Sequence, residues 1–194
     1  MGKKLVMDSA PLVSVLMNCF NGEKYLREAI DSIINQTHQN WELVFWDNQS
    51  TDKSKAIFDS YQDDRLKYYY APEHTDLGGG RANAFKYLYG DYIAVLDVDD
   101  IWLPTKLKKQ LQLFTDPDVG IVISNTLFFN ETDERILYDG EYPPEGDVFR
   151  ELLTGYFVSL ETLMLRKSVV DKLDYGFDAD FSFIADFDLV LRTA

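Results

Sequence analysis

"PLVSVLMNCFNGEKYLREAIDSIINQ" (residues 11 to 36) carries the fold in miniature. Residues 11 to 20 form a nearly continuous apolar run of strand length, the pattern of a strand covered on both faces. Asn21 then stands where a helix N-cap would, ahead of a stretch in which Leu26, Ala29, Ile30, Ile33 and Ile34 recur at helical spacing. The same unit returns. "WELVFWDN" (41 to 48) reads as a strand, followed by Ser50 or Thr51 as cap and the helix "DKSKAIFDSYQ". "RLKYYYA" (65 to 71) is a shorter strand before a helix "GRANAFKYLYG" closed by Gly90. "YIAVLDVDD" (92 to 100) precedes a helix that starts at Pro104 and runs "TKLKKQLQLF". Four strand–helix alternations in about a hundred residues predict an α/β fold, a parallel sheet with helices on both faces. Ligands of such sheets bind at the carboxyl ends of the strands, here "NCFN", "WDNQSTD" and "DVDD".

Beyond Pro117 the pattern changes. "VGIVISNTLFFN" and "RILYD" read as the strands of a hairpin, and "SLETLMLRKSVV" as a further strand. The chain ends at "DLVLRTA", inside an apparent helix, as a piece of a longer protein would. Its 194 residues suffice for one domain with a substantial core. Acidic residues outnumber basic ones 33 to 19, giving a formal net charge of -14 that repels phosphodiester backbones and argues against nucleic-acid binding. The one cysteine, Cys19, permits no disulfide within the chain and no cysteine-based zinc site, and reads as a small buried residue. A reducing cytoplasm is the simplest compartment. No run reaches the roughly 18 to 20 apolar residues that cross a bilayer.

Asp97, Asp99 and Asp100 crowd the end of the fourth strand. Two carboxylates about 4 Å apart repel by roughly 4 kcal/mol at the effective dielectric of a protein surface. A divalent cation removes that cost, and aspartate oxygens suit Mg²⁺ or Mn²⁺. Solvated acids or a helix cap are the plain alternative. An EF-hand loop is a poor match, because Trp102 and Lys108 stand where glycine and glutamate are required. "LGGGRANA" (77 to 84) fails as a dinucleotide fingerprint, since it follows the third strand and has Asn83 in place of the last glycine. It reads equally as a flexible turn or a ligand contact.

"VSVLMNCFNGEKYLREAIDSIINQTHQNWELVFWDNQSTDKS", an arginine-containing turn, "GDYIAVLDVDDIWLPTKL" and "ADFDLVLR" together resemble the family 2 glycosyltransferases of the GT-A fold, in order from about residue 12 to 192. The resemblance implies a central, mostly parallel mixed sheet flanked by helices. It divides residues 1–194, a single catalytic domain, into a nucleotide-sugar-binding half (about 1–100) and an acceptor-binding half (about 101–194). It further implies a nucleoside-diphosphate-sugar donor, a UDP-sugar first, with Mn²⁺ or Mg²⁺ as cofactor and inversion at the anomeric carbon. The acceptor would be a saccharide or lipid-linked saccharide used in bacterial cell-surface polysaccharide or glycolipid synthesis. Localisation would then be cytoplasmic, with peripheral association at the inner membrane face, for which the acidic chain shows no basic anchor.

Carried over residue by residue, the resemblance implies that Phe20 packs against the base, with Asn18 as a polar contact. Asp47 keeps the first acid of a nucleoside-contacting pair, and Asn48 replaces the second. Arg81 falls near the nucleotide, with Ala82 in place of the family's asparagine. Asp100 ligates the cation, Asp99 ligates it or holds the ribose, and Asp97 supports both from beneath. Asp186 takes the place of the general base, next to Ala185 where the family has glutamate, while Asp188 reads as a helix-surface or capping acid. Glu161 falls on the acceptor side, and Tyr142, Tyr156 and Phe157 are aromatics that could stack on an acceptor sugar. The departures at Asn48, Ala82 and Ala185 keep a second reading open, a non-catalytic nucleotide-sugar-binding module. A third, nucleotidyl transfer, lacks the glycine- and lysine-rich triphosphate loop it needs after the first strand.

Overall fold

A computed structural model describes residues 10–130 and 132–194. Six strands form one sheet in the order β3-β2-β1-β4-β8-β5. These are β1 (Val13–Cys19), β2 (Trp41–Asp47), β3 (Leu66–Tyr70), β4 (Tyr92–Val95), β5 (Ile121–Val122) and β8 (Met164–Arg166). β3, β2, β1 and β4 run parallel, whereas β8 lies antiparallel to both β4 and β5. The fold is therefore α/β with a mostly parallel mixed sheet: the alternation predicts its parallel part, and the resemblance implies the antiparallel addition.

Every residue of β1 is buried, which explains its unbroken apolar run. Side chains alternate between the two faces. Val13, Val15, Met17 and Cys19 pack on the side of α1 (Leu26–Ile34), α2 (Ser54–Asp59) and α4 (Lys106–Leu111), with Phe58 and Leu107 closing over them. Leu16 faces the other layer, where α3 (Leu77–Phe85) and α7 (Ala185–Thr193) contribute Ala84, Leu189 and Val190. α5 (Phe149–Thr154) adds the buried Leu152 to this second layer, and α6 (Lys167–Val170) follows β8. At roughly 1.5 to 3 kcal/mol per fully buried large aliphatic side chain, these two layers are the main stabilising term.

The helix boundaries differ from expectation, at α1 and α2 because the polar loops after β1 and β2 bond to each other. Asn21 is not the cap of α1: its φ is +56° and its Oδ1 accepts from Thr51 N, while Tyr25 holds the cap position. Ser50 and Thr51 do not cap α2, which begins after Lys53. Ser50 instead receives Asn21 N on its hydroxyl, and Asp52 receives both Glu23 N and Ser54 N. α3 starts at Leu77, earlier than the composition suggests, capped by Asp76, whose carboxylate accepts from Gly79 N; it ends at Phe85, well before Gly90. Gly90 serves another purpose, since a Cβ there would stand 2.6 Å from Ser14 N. α4 begins at Lys106, two residues after Pro104. "SLETLMLRKSVV" divides into a 3₁₀ turn (Leu160–Thr162), β8 and α6.

The expected hairpin forms from β6 (Leu127–Phe129) and β7 (Glu134–Ile136), a separate two-stranded ribbon. Leu127 stands opposite Ile136 and Phe129 opposite Glu134, so one face presents Leu127, Phe129 and Ile136, all exposed. Asn125 ties the ends of the ribbon through Tyr138 N and Tyr138 O.

Candidate functional site

β2 and β3 lie on one side of β1, β4 and β8 on the other, so the strand order reverses between β1 and β4. The crevice outside their carboxyl ends is where ligands of such sheets bind. Register brings the parts together: Cys19 pairs with Asp47, and Leu96 N donates to Leu16 O before the chain turns into Asp97.

On the β2 side most polar groups already serve the protein. Asp47 is 1% exposed; its Oδ1 accepts from Ser50 N at 2.7 Å and its Oδ2 from the Tyr68 hydroxyl at 2.5 Å. Burial first, then that bond and the Asp47 charge, push the Tyr68 phenol above its usual range, so it stays a neutral donor. Asn48 clasps the loop before α3. Its Nδ2 donates to Thr75 O at 2.7 Å, its Oδ1 accepts from Thr75 N and Oγ1, and its carbonyl contacts His74 Nδ1 at 2.8 Å. Phe20 does face outward. Half exposed, it packs against the His74 ring with centroids 4.4 Å apart, an aromatic surface at the cleft mouth. Cys19 is buried as expected, and burial raises its thiol pKa.

Asn18 points from β1 toward α3. The "GGG" run is neither a turn nor a loop but helix interior, with Gly78, Gly79 and Gly80 all buried. A Cβ on Gly80 would come within 2.7 Å of Asn18 Oδ1, and one on Gly78 within 1.9 Å of Phe181 O. α3 is therefore pressed bare-backed between the end of β1 and the segment leading to α7. Asp76 strengthens this seam by accepting from the Ser182 hydroxyl.

Arg81, on the same helix, is 5% exposed, and its Nη2 donates to both oxygens of Asp97 at 2.8 and 2.9 Å. The Arg81 Nε and Asn18 Oδ1 have no hydrogen-bond partner among the described residues. Ala82 sits partly buried against the core where the family asparagine would be.

Asp100 N donates to Asp97 O, closing a turn that leaves Asp99 exposed and Asp100 half-buried. The Asp100 carboxyl is pushed up to about 7, by burial first and then by the charges of Glu161, Asp97 and Asp99. Glu161 thus joins the aspartates. Its Oε1 accepts from Ser159 Oγ at 2.5 Å and Thr126 Oγ1 at 2.7 Å, and its backbone oxygen receives Trp102 Nε1 at 2.9 Å. Among the described residues no group of three His, Cys, Asp or Glu side chains is arranged to hold a metal ion by itself. One or two carboxylates completed by substrate phosphates is how Mg²⁺ sites are usually built. The hard oxygens of Asp99 and Asp100, short of a compensating positive charge, fit such a cation.

Two buried glutamines fix this acidic loop. Gln36 donates to Leu103 O and accepts from Leu107 N, while Gln110 donates to Thr162 O and Val122 O. Lys106 stands 4.1 Å from the Trp102 ring centre. Although the residue is only half-buried, burial of its ammonium pushes the pKa down to about 7, with Glu161 opposing.

Asp186 is the second residue of α7, where first-turn N–H groups favour a carboxylate. Its Oδ2 accepts from the Tyr156 hydroxyl at 3.0 Å. Ala185 is buried in the core, so a glutamate there would need a different packing. Asp188, in the first turn of α7, is less exposed than a helix-surface acid would be, with its side chain 17% exposed, and it pairs with Arg192 at 2.6 Å. Sequence reasoning missed Tyr68, His74, Gln36 and Gln110, and the pairing of Tyr156 with Asp186. None carries a local signal: Tyr156 stands out in the sequence only as an aromatic, whereas in the structure it is its hydroxyl that meets Asp186.

The model of the family described as "Glycosyl transferase family 2" matches residues 14–174. An uncharacterized glycosyltransferase of Methanocaldococcus jannaschii is 32% identical over 191 residues, covering 94% of this chain and 64% of the relative. The Escherichia coli UDP-Glc:alpha-D-GlcNAc-diphosphoundecaprenol beta-1,3-glucosyltransferase WfgD is 27% identical over 166 residues, covering 86% of this chain and 64% of the relative. The chain thus spans less than two thirds of the length of these curated relatives. The crystal structure of S. aureus TarS 1-349 in complex with UDP-GlcNAc superposes with a TM-score of 0.72 at 22% identity, over 93% of this chain and 52% of that one, a likeness of fold.

Proposed function

The chain belongs to glycosyl transferase family 2, and from that membership we propose that it transfers a sugar from a nucleoside-diphosphate sugar to an acceptor hydroxyl with inversion at the anomeric carbon. What supports this reading is the link between two sets of acids. Asp97, Asp99 and Glu161 all act on Asp100 after β4, and Tyr156, hydrogen-bonded to Asp186 at the start of α7, feels the charges of Glu161 and Arg81 as well. Residues up to about 100 supply the donor half and the remainder the acceptor half. Phe20 and His74 offer the base an aromatic surface, with Asn18 behind it. Asp47 and Asn48 act through the walls they brace, and Arg81 presents Asp97 to the donor.

Asp99 and Asp100 would hold Mn²⁺ or Mg²⁺, which when bound supplies counter-charge to a departing diphosphate. Asp186 accepts the proton of the acceptor hydroxyl as that oxygen bonds to the anomeric carbon. The bond from that carbon to the phosphate oxygen breaks, and the nucleoside diphosphate leaves with the electron pair. Glu161 borders the acceptor side. UDP-sugars are the first donors to test, because UDP-Glc and UDP-GlcNAc appear in the names of a relative and a structural neighbour. Lipid-linked saccharides of surface polysaccharide or glycolipid synthesis are the first acceptors, which would bring the protein to the cytoplasmic face of the membrane.

Calorimetric titration with UDP-sugars in Mn²⁺, repeated in EDTA, tests donor binding; release of nucleoside diphosphate tests turnover. Asp100→Ala should abolish metal-dependent donor binding, and Asp186→Ala should spare binding and remove transfer. Normal turnover by the Asp186 variant would overturn the assignment of the base. A binding module without turnover is the second reading, favoured by the internal engagement of Asp47 and Asn48. Metal-dependent binding with no nucleoside diphosphate released in the presence of acceptors would establish it.

A further inference from the structure

We propose that Tyr156 is the positioning residue of the reaction, its hydroxyl holding one oxygen of Asp186 so that the other is turned to the acceptor. This rests on the reading of Asp186 as base. Tyr156 follows α5 in an irregular segment, thirty positions before Asp186, and among the described residues its hydroxyl makes one hydrogen bond, to Asp186 Oδ2 at 3.0 Å. The ring stands edge-on to Phe187, with centroids 5.2 Å apart and planes at 86°. Tyr156 therefore contacts both the acid and its neighbour in sequence.

A carboxylate at the start of a helix can rotate about its side-chain torsions, and a lone first-turn aspartate would spread over several rotamers. Engaging Oδ2 leaves Oδ1 as the free acceptor and removes that choice. The phenol suits the task because it stays protonated. Burial first, then the charge and hydrogen bond of Asp186, drive its pKa above the usual range, with Glu161 adding and Arg81 opposing. Tyr156 is thus within electrostatic reach of Arg81 and Glu161 as well as of Asp186. In the transfer step the acceptor proton passes to Asp186 Oδ1 while the phenol O–H remains intact, so Tyr156 neither gains nor loses a proton.

Asp186 is only partly buried, so Tyr156→Phe leaves its Oδ2 within reach of water, and the ring keeps its place against Phe187. The test compares Tyr156→Phe, Asp186→Asn and the double variant in full steady-state kinetics, with thermal unfolding and calorimetric donor binding alongside. Tyr156→Phe should keep the melting temperature, the donor affinity and the acceptor KM while kcat falls about tenfold, part of the 10²–10⁴ that a positioned base contributes. Added to Asp186→Asn, it should change the residual rate no further. Wild-type kcat in Tyr156→Phe would overturn the proposal. So would a loss shared between kcat and acceptor KM, which would mean contact with the acceptor, or a fall in melting temperature that accounts for the lost rate. Full activity of Asp186→Asn would instead remove the base itself, a failure of the underlying reading that the single variants keep separate.

Discussion

Three adjacent glycines on α3 allow the packing of the site to be tested by sign. In an unhindered helix each Gly→Ala change should stabilise by about 1 kcal/mol, because alanine surrenders less backbone freedom. Position 78 is hindered: the added Cβ would stand 1.9 Å from Phe181 O and 2.8 Å from Phe181 C, both backbone atoms. To restore even 3.0 Å the 178–182 segment must retreat by about 1 Å, with the overpacking cost of about 1 to 3 kcal/mol that such shifts carry. The retreat also loosens the Ser182–Asp76 hydrogen bond, worth about 1 kcal/mol. The losses exceed the helix gain, and Gly78→Ala should destabilise by about 1 to 3 kcal/mol net. Gly80→Ala meets the end of the Asn18 amide at 2.7 Å, a side chain that can swing, and should be close to neutral. Gly79→Ala meets only side chains at 3.0 to 3.2 Å and should be the mildest of the three. Urea unfolding, read as a midpoint shift at constant m, orders the variants. Ser182 lies just ahead of α7, so Gly78→Ala should also slow transfer while donor binding holds. A Gly78→Ala variant as stable as wild type or more so would contradict the close approach of α3 to this segment.

Further changes probe other contacts. Asp97→Ala leaves the buried Arg81 guanidinium unpaired; the cost should be about 2 kcal/mol, below the 3 to 5 of a fully buried pair because the Asp97 side chain is 31% exposed, and chemical denaturation measures it. Asn48→Asp restores the acid usual in the family yet should destabilise by about 1 to 2 kcal/mol, because a carboxylate replaces the donor to Thr75 O; an unchanged unfolding midpoint would contradict the clasp. Trp102→Phe removes the hydrogen bond to Glu161 O and should cost about 1 kcal/mol in the same assay. With its pKa raised by burial, Cys19 should resist iodoacetamide in the folded protein and react at the rate of unfolding. The folded state holds the thiol proton more tightly than the unfolded chain, so stability falls as pH rises above the ordinary thiol pKa, near 8.5.

The parallel half of the sheet is legible in the sequence because β1, β2 and β4 are buried on both faces, so their apolar runs are nearly unbroken. The acidic turn is legible for a related reason, being a block of carboxylates directly after such a run. The caps are not. Asn21, Ser50 and Thr51 are all good cap residues, and they bond to one another across adjacent strand ends, while Asp52 accepts from Glu23 N on the same side, pairings that depend on register. The glycine run suggests a turn because its cause, the Phe181 backbone, lies about a hundred positions away. Short elements of the second half, such as the two-residue β5 and the 3₁₀ turn before β8, are too brief to show a period. In the site, acids could be named individually, but their partners could not. Asp47 is spent on Tyr68, Asp97 on Arg81, and Asp186 on Tyr156, each pair closed only by the fold.

The β6–β7 ribbon bears on how the molecule behaves in the test tube. A small ribbon showing Leu127, Phe129 and Ile136 to water is a surface on which two copies can meet, and a formal charge of -14 is what keeps copies apart. The two act over different distances. Repulsion reaches about 10 Å at 0.1 M salt and about 3 Å at 1 M, whereas apolar contact is indifferent to screening. Concentrated salt should therefore drive self-association and dilute buffer reverse it, so kinetic comparisons between variants belong at one fixed, modest ionic strength.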